Sequence, residues 1–361
     1  MQNKKIKFAF QIKMSEIMKK QKRNIIIGMV CGMIIIACGT IGYVYHELFS
    51  PSLRNTKTAY IYIDRDDTAD SIFIKVQQTG KVKNMNFLKL IAKYNHLEQK
   101  IHTGRYEVKP GDNIVNLYKK LIHAQQTPIM LTIPSTRTIG QLAKTLDRQL
   151  MLDSAEIIKP FTDSLIVQQL GFNEQTLPAF FIPDSYQFYW NVSEEALLKR
   201  LKQAYDNFWN QKRTEQAKAI GLTPTEVSIL ASIVDEETAK DEEKPVIAGL
   251  YMNRLNKGML LQADPTIKFA QQDPSIKRIL FKHLEIDSPY NTYKHPGLPP
   301  GPIRIPSIQG LESVLNYAHH NYLYMCAKED FSGYHNFAEN NIQHAANARR
   351  YQQALNQRNI K

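Results

Sequence analysis

The chain has 361 residues, 46 of them basic and 34 acidic, and a formal net charge of +12. This length is enough for about two domains of ordinary size. The charge is uneven: residues 1–23 carry eight basic side chains and one acid, a net +7, which leaves +5 for the rest of the chain. Because most of the excess charge lies in one terminal segment, no nucleic-acid-binding function is indicated. Only one of the three cysteines, Cys326, lies outside the N-terminal apolar run, which excludes a disulfide framework.

An uncharged apolar run over residues 24–46 follows this basic segment. A membrane-spanning helix needs about 20 such residues, and Lys and Arg favour the cytoplasmic side. The sequence therefore predicts a cytoplasmic tail over 1–23, one transmembrane helix over 24–46 and an extracytoplasmic remainder. A cleaved signal peptide that starts at Met14 or Met18, or lipoprotein processing at Cys38, are the alternatives. The run stays apolar after Cys38, which favours a retained anchor.

After a linker over 47–57, a pattern of strand, polar turn and helix occurs three times, around 58–72, 104–121 and 130–146. In the second of these, Asp112 is the expected helix cap. The arrangement over 58–130 resembles LysM-like modules, which bind glycans rich in N-acetylglucosamine. A plain αβ spacer domain fits the same residues.

Residues 160–213 are predicted to be mostly helical, with an aromatic-rich loop at 180–190. Aromatic clusters of this kind either fill a core or form platforms for sugar rings.

The next segment carries the strongest helix signal. Thr223, Pro224 and Glu226 form a helix start, and an apolar stripe follows that includes Leu230 and Val234. At about 100° per residue, Glu237 falls on this stripe, whereas the acids at 235 and 236 point away from it. A carboxyl group held on an apolar face has a raised pKa and suits general-acid chemistry. The alternative is an ordinary solvated acidic helix end.

Segments rich in Pro, Gly, Asn and Tyr follow at 261–266, 288–293 and 296–303, and they are predicted to be irregular. Strands are expected at 322–327 and 334–337, and a polar helix from 341. The predicted fold class is α+β, with a mixed α/β domain over 131–361.

Five ordered segments resemble the YceG-like endolytic murein transglycosylases; they are Ala231–Thr238, Asn253–Leu255, Leu261–Thr266, Ser288–Tyr293 and Gly297–Ile303. The resemblance implies a membrane helix, a LysM-like module and a C-terminal catalytic domain. It also implies a lytic transglycosylase that cuts the β-1,4 bond between N-acetylmuramic acid and N-acetylglucosamine within nascent peptidoglycan strands. Such enzymes form 1,6-anhydro ends and are thought to terminate glycan elongation.

By this resemblance, Glu237 is the single catalytic acid, and neither a metal nor a cofactor is needed. The implied location is the inner membrane with the catalytic domain in the periplasm, and a peptidoglycan synthase is an implied partner. Three departures from the family pattern stand out. Pro178-Ala179 replaces the usual Glu-Gly, and the first motif acid is Asp235 rather than Glu. Glu236 adds a negative charge that is expected to keep Glu237 protonated.

The polar residues of the resembling segments are the predicted substrate-binding residues: Gln262, Asp264, Asn291, Tyr293 and Arg254. The amides are expected to donate to the sugar, and Arg254 to contact a peptide carboxylate or to pair with Asp264 or Glu243. The same residue types also stabilise irregular loops through backbone hydrogen bonds. His335 matches a family histidine and either lines the cleft or is structural.

The main alternative is a non-catalytic peptidoglycan-binding scaffold of the envelope, although a complete set of motifs around Glu237 argues against it. A metallopeptidase is not indicated, because the histidines lack His-Glu-x-x-His spacing.

Overall fold

The computed structural model describes residues 2–94, 100–273 and 279–358. The chain divides into two compact units, Met1–Thr127 and Pro128–Lys361. The fold is α+β, with small antiparallel sheets and many helices. Each unit has its own apolar core.

The first unit begins with helix α1, Gln2–Phe49, which contains the predicted span. The segment Ile12–Phe49 is long and apolar enough to cross a membrane. Its apolar side chains are uncovered, with Ile35 and Ile36 about 70% exposed. The predicted cytoplasmic tail over 1–23 is also helical: from Gln2 onward it is continuous with the predicted span in α1. Residues 24–46 of the helix are about 35 Å long, which matches the hydrocarbon core of a bilayer.

The remainder of the first unit has a βααβ order followed by one more helix. Its elements are β1 (Ala59–Ile63), α2 (Ala69–Gly80), α3 (Met85–Tyr94), β2 (Gly104–Val108) and α4 (Ile114–Ile122). The two strands pair antiparallel, with Ile61 opposite Tyr106. The cap of α4 is Asn113, not the predicted Asp112, because the Asn113 side chain accepts the Asn116 amide. Asp112 instead forms an ion pair with Lys120.

The N-terminal half of the second unit packs helices against one strand pair. The elements are β3 (Ile129–Thr132), α5 (Ile139–Asp147), α6 (Ser154–Thr162), α7 (Ser164–Gln169), β4 (Ser185–Phe188), α8 (Glu194–Phe208) and α9 (Gln211–Ala219). Because β3 pairs with β4, the predicted boundary after residue 130 falls within a strand of the second unit. The predicted aromatic loop contains β4, and Phe180 and Phe181 are fully buried. These two rings therefore fill the core and offer no platform for sugar.

The C-terminal half is built around one central helix. Its elements are α10 (Pro224–Glu237), α11 (Lys244–Asn256), α12 (Asp264–Gln271), α13 (Ile308–Leu315), β5 (Tyr324–Ala327), β6 (His335–Ala338) and α14 (Asn341–Gln357). Strands β5 and β6 pair antiparallel. The predicted irregular segment at 261–266 ends in α12, which begins at Asp264 and has Pro265 in its first turn.

Helix α10 is more deeply buried than a single apolar stripe predicts. It starts with the predicted capping box of Thr223 and Glu226. All eight residues from 227 to 234 are buried, so the helix is covered on every side. A helix of this kind is a fixed element of the core. Its C-terminal acids are consequently held in defined positions.

Candidate active site

The three consecutive acids at the end of α10 occupy three different environments. Asp235 is buried, lies 2.9 Å from Lys244 Nζ, and accepts hydrogen bonds from the amide and hydroxyl of Ser307. It thereby joins α10 to the start of α13. Glu236 is bonded by two arginines, Arg137 and Arg304. These two acids are therefore held by partners outside α10.

Glu237 is the acid that faces the cleft. Tyr251 on α11 donates a hydrogen bond of 2.5 Å to its Oε1 atom. Burial raises the pKa of Glu237 from 4.5 to about 7, and the negative charge of Asp264 adds to this. The Tyr251 hydrogen bond and the charges of His335 and Lys268 act in the opposite direction. A carboxyl group that is half protonated at neutral pH can both give and take a proton.

The source of the negative charge differs from the sequence-based expectation. Glu236 was expected to keep Glu237 protonated, but Arg137 and Arg304 neutralise it. Asp264, at the start of α12, is the acid that raises the pKa of Glu237 through its charge. Tyr293 donates a 2.6 Å hydrogen bond to Asp264 Oδ1, and burial together with this contact raises the pKa of Tyr293. Asp264 and Tyr293, which both belong to the predicted set, thus lie together beside Glu237.

A cavity of about 200 Å³ contains these groups. Its polar lining includes Glu237, Tyr251, Asp264, Tyr293 and His335. Glu237 also lines an open depression of about 450 Å³ that includes Arg137. A further depression of about 460 Å³ shares Arg137, Gln141 and Glu236 with the second one. The three depressions adjoin through shared residues and are together called the groove, and Glu237 lines both the first and the second of them.

His335 enters the cleft from β6 with a buried acid behind it. Glu243, at the start of α11, accepts the backbone amide of His335 at 2.7 Å and lies 2.9 Å from its Nδ1. The side chain of Glu243 is 4% exposed. This pairing fixes the ring and leaves the Nε2 atom as its second functional nitrogen. His335 thus lines the cavity and is also held by a structural contact with Glu243, so both interpretations have an observation behind them.

Gln262 and Arg254 lie at the same cavity and contact each other. Gln262 Oε1 accepts from Arg254 Nη1 at 3.3 Å, and Gln262 has a φ of 50°. Arg254 is buried and donates to the carbonyls of Leu261 and Leu323. Carbonyl groups therefore hold this guanidinium, in place of the predicted pairing with Asp264 or Glu243.

Asn291 occupies a structural position instead of a cleft position. It is fully buried, and its amide donates to the carbonyls of Leu284 and Ile286 at 2.8 Å. Its Oδ1 atom accepts the backbone amide of Tyr293. Asn291 therefore stabilises the loop that carries Tyr293. Because its amide group already donates to two carbonyls, the expected donation to sugar is not supported.

Several residues of the site were not predicted from the sequence. They are Tyr251, Glu243, Arg137 and Arg304. Tyr251 on α11 and Glu243 immediately before it reach the site because α11 packs against α10. A helical-wheel comparison of α10 with α11 was the one available signal for Tyr251.

The fold and the site together define an α+β protein with one N-terminal helix able to cross a membrane and a groove built around one carboxyl group of raised pKa. A model of the YceG-like family matches residues 61–350, and the chain belongs to this family. The match covers elements of both compact units.

Curated relatives carry the name endolytic murein transglycosylase. The protein from Streptococcus pneumoniae strain D39 is 28% identical over 327 residues, which cover 81% of this chain and 59% of the relative. The chain therefore spans about three fifths of the pneumococcal protein. The protein from Bacillus subtilis is 26% identical over 301 residues, which cover 79% of this chain and 83% of the relative. A crystal structure of a YceG-like protein from Listeria monocytogenes superposes with a TM-score of 0.55 at 25% identity, covering 81% of this chain and 99% of that one.

Proposed function

We propose that this protein is an endolytic murein transglycosylase with Glu237 as its catalytic acid and base. The observation that carries the proposal is a carboxyl group with a pKa of about 7 that lines two adjoining depressions. We infer that a glycan strand occupies both depressions, with the bond to be cut beside Glu237. The names of the pneumococcal and Bacillus relatives support the same activity.

In the first step, protonated Glu237 donates its proton to the glycosidic oxygen between muramic acid and glucosamine. Because Tyr251 donates to Oε1, the proton is assigned to the Oε2 atom. The bond from C1 to this oxygen then breaks, and the glucosamine part leaves with a free C4 hydroxyl. Positive charge develops at C1 of the muramic acid, as in other cleavages of glycosidic bonds.

In the second step, the C6 hydroxyl of the same muramic acid attacks C1. Glu237, now a carboxylate, takes the hydroxyl proton and returns to its starting state. The new bond between O6 and C1 gives a 1,6-anhydro end, and no water is consumed. One carboxyl group serves both steps, so its pKa must lie near the working pH.

The neighbours of Glu237 have distinct proposed roles. Tyr251 stabilises the carboxylate form between the two steps through its hydrogen bond. The charge of Asp264 keeps Glu237 protonated before the first step and favours the positive charge at C1. Tyr293 fixes Asp264, and Glu243 fixes His335 at the wall of the cleft.

Gln262 and Tyr293 are the proposed polar contacts to the sugar, because both line the cavity beside Glu237. Arg254 supports Gln262 through the contact between Nη1 and Oε1. Asn291 is assigned to the loop alone.

The proposed architecture follows the predicted domains, with a cytoplasmic N-terminus, an inner-membrane anchor at 24–46 and an extracytoplasmic catalytic unit. Helix α1 supports the anchor, and the excess of Lys and Arg before it supports the orientation. The βααβ order of the first unit supports a LysM-like module that binds glycan. Action beside a peptidoglycan synthase is a further part of the proposal, and co-purification from membranes that recovers no synthase would count against it.

The experiment is mass spectrometry of peptidoglycan incubated with the detergent-solubilised full chain. Glu237→Gln keeps the shape of the side chain and removes the proton. We expect internal fragments with 1,6-anhydro ends from the wild type and a rate about 10²- to 10⁴-fold lower from the variant. Glu195→Gln, at an exposed position of α8, is the matched control and should cut at the wild-type rate.

Other products would change the conclusion. Reducing ends would indicate hydrolysis with a second carboxylate, and Asp264 would be the first candidate for it. Binding of glycan without any cleavage by the wild type would favour the non-catalytic scaffold.

A further inference from the structure

The groove beside Glu237 contains a cluster of two arginines and one glutamate. Arg137 Nη2 lies 2.7 Å from Glu236 Oε2, and Arg137 Nε lies 3.2 Å from Oε1. Arg304 Nη1 lies 2.9 Å from the same Oε1 atom. Arg304 is further fixed by the hydroxyl and the carbonyl of Ser135. One carboxylate thus holds two guanidinium groups in place, and the cluster keeps a net charge of +1.

The two arginines differ in their access to solvent. The side chain of Arg304 is 21% exposed, whereas that of Arg137 is 62% exposed. Within the described ranges, Nη1 of Arg137 makes no hydrogen bond. Arg137 therefore presents a free N–H edge, held in orientation by Glu236, to whatever occupies the groove. A planar guanidinium held in this way is suited to bind a carboxylate.

The cluster lies next to the reacting group. Arg137, Arg304 and Glu237 line the same depression. If the proposed function is correct, a sugar at the scissile bond is placed beside these arginines. In peptidoglycan every muramic acid bears a lactyl group, and the stem peptide attached to it carries free carboxylates. A plain glycan would bring no anion to this place.

We propose that Arg137 binds a carboxylate of the stem peptide, with Glu236 and Arg304 as positioning residues. This inference rests on the proposed function and adds a specificity to it: the enzyme distinguishes strands that carry peptides from strands whose peptides have been removed. The contact is partly exposed, so its expected contribution to affinity is about fivefold.

The test measures binding without cleavage, using the full chain in detergent with Glu237→Gln. The ligands are uncrosslinked strands with their peptides and the same strands after the carboxylates have been converted to amides. Arg137→Gln is the test variant, and Arg148→Gln, exposed at the other end of α5, is the matched control. Thermal unfolding of each variant verifies that it is folded.

We expect amidation of the ligand to weaken binding about fivefold for the parent protein and for the control. Arg137→Gln should bind both ligands equally, with the affinity that the parent protein has for the amidated ligand. Comparing both proteins with both ligands isolates the contact between Arg137 and the carboxylate. Glu236→Gln should reduce the preference for the charged ligand, because Arg137 loses the carboxylate that orients it, and should leave binding of the amidated ligand unchanged. A general structural defect would instead weaken binding of both ligands.

Four results would overturn the inference. Equal loss of affinity for both ligands in Arg137→Gln would show that the arginine contacts the glycan itself. Dependence on Arg137 that persists after an amidase removes the whole peptide would assign the carboxylate to the lactyl group. Strong glycan binding that ignores both amidation and Arg137 would reject the inference and leave the proposed function standing, whereas no glycan binding at all would reject both.

Discussion

The buried carboxyl group of Glu237 leads to a quantitative prediction of stability against pH. Burial raises its pKa from 4.5 to about 7. Since the folded chain binds this proton more tightly than the unfolded chain, the stabilisation is complete below pH 4.5 and is lost as the pH rises through 7. At 1.36 kcal/mol for each pH unit, the interval from 4.5 to about 7 corresponds to about 3 kcal/mol.

Glu237→Gln removes the titration and keeps an oxygen that can accept the Tyr251 hydrogen bond. Relative to the wild type, the free energy of unfolding of the variant should increase by about 3 kcal/mol between pH 4 and pH 9. Denaturant unfolding of the full chain in detergent measures this difference. Tryptophan fluorescence reports the unfolding of the unit that contains Glu237, because the two tryptophans, Trp190 and Trp209, both lie in Pro128–Lys361.

The sign of the change decides the interpretation. A difference between variant and wild type that stays constant from pH 4 to pH 9 would refute the burial argument. A relative loss of stability in the variant as the pH rises would mean that the folded protein favours the ionised carboxylate. Glu195→Gln provides the control for the same chemical change on the exposed surface of α8.

Three further variants test the neighbours of the acid. Tyr251→Phe removes a hydrogen bond that lowers the pKa of Glu237, so the alkaline loss of activity should move to higher pH in a profile of 1,6-anhydro end formation. Asp264→Asn removes a charge that raises this pKa, so the alkaline loss should move to lower pH with the rate reduced by on the order of tenfold or more. An unchanged profile in either variant would contradict the assigned contact. Gly310→Ala would place a methyl group 2.7 Å from the Asp235 carboxylate and should lower the free energy of unfolding by about 1–3 kcal/mol; an unchanged denaturation midpoint would contradict the crowding.

Local patterns predicted much of the fold. The capping residues Thr223 and Glu226 gave the start of α10, and the strands and helices of the C-terminal part lie close to their predicted positions. The predictions were wrong where two adjacent residues could both cap a helix, or where a strand depended on pairing with a segment distant in sequence. Asn113 displaced Asp112 as a cap, and β4 formed inside the aromatic segment because β3 pairs with it.

The sequence by itself selected Glu237 among the three consecutive acids at the end of α10. Helical periodicity is a local property, so the position of Glu237 relative to Leu230 and Val234 was sufficient to select it. The sequence also determined the apolar helix α1 and, through five ordered segments, the resemblance to the YceG-like family, which the family match confirms.

Only the tertiary structure decided the environment of that acid. Tyr251 and Asp264 reach Glu237 through the packing of α11 and α12 against α10, and Arg137 reaches Glu236 across 99 positions of sequence. The negative charge of Glu236, which is predicted to keep Glu237 protonated, is instead neutralised by arginines that are distant in sequence. The pKa of a buried carboxyl group depends on all of these contacts together, and periodicity along one helix contains none of them.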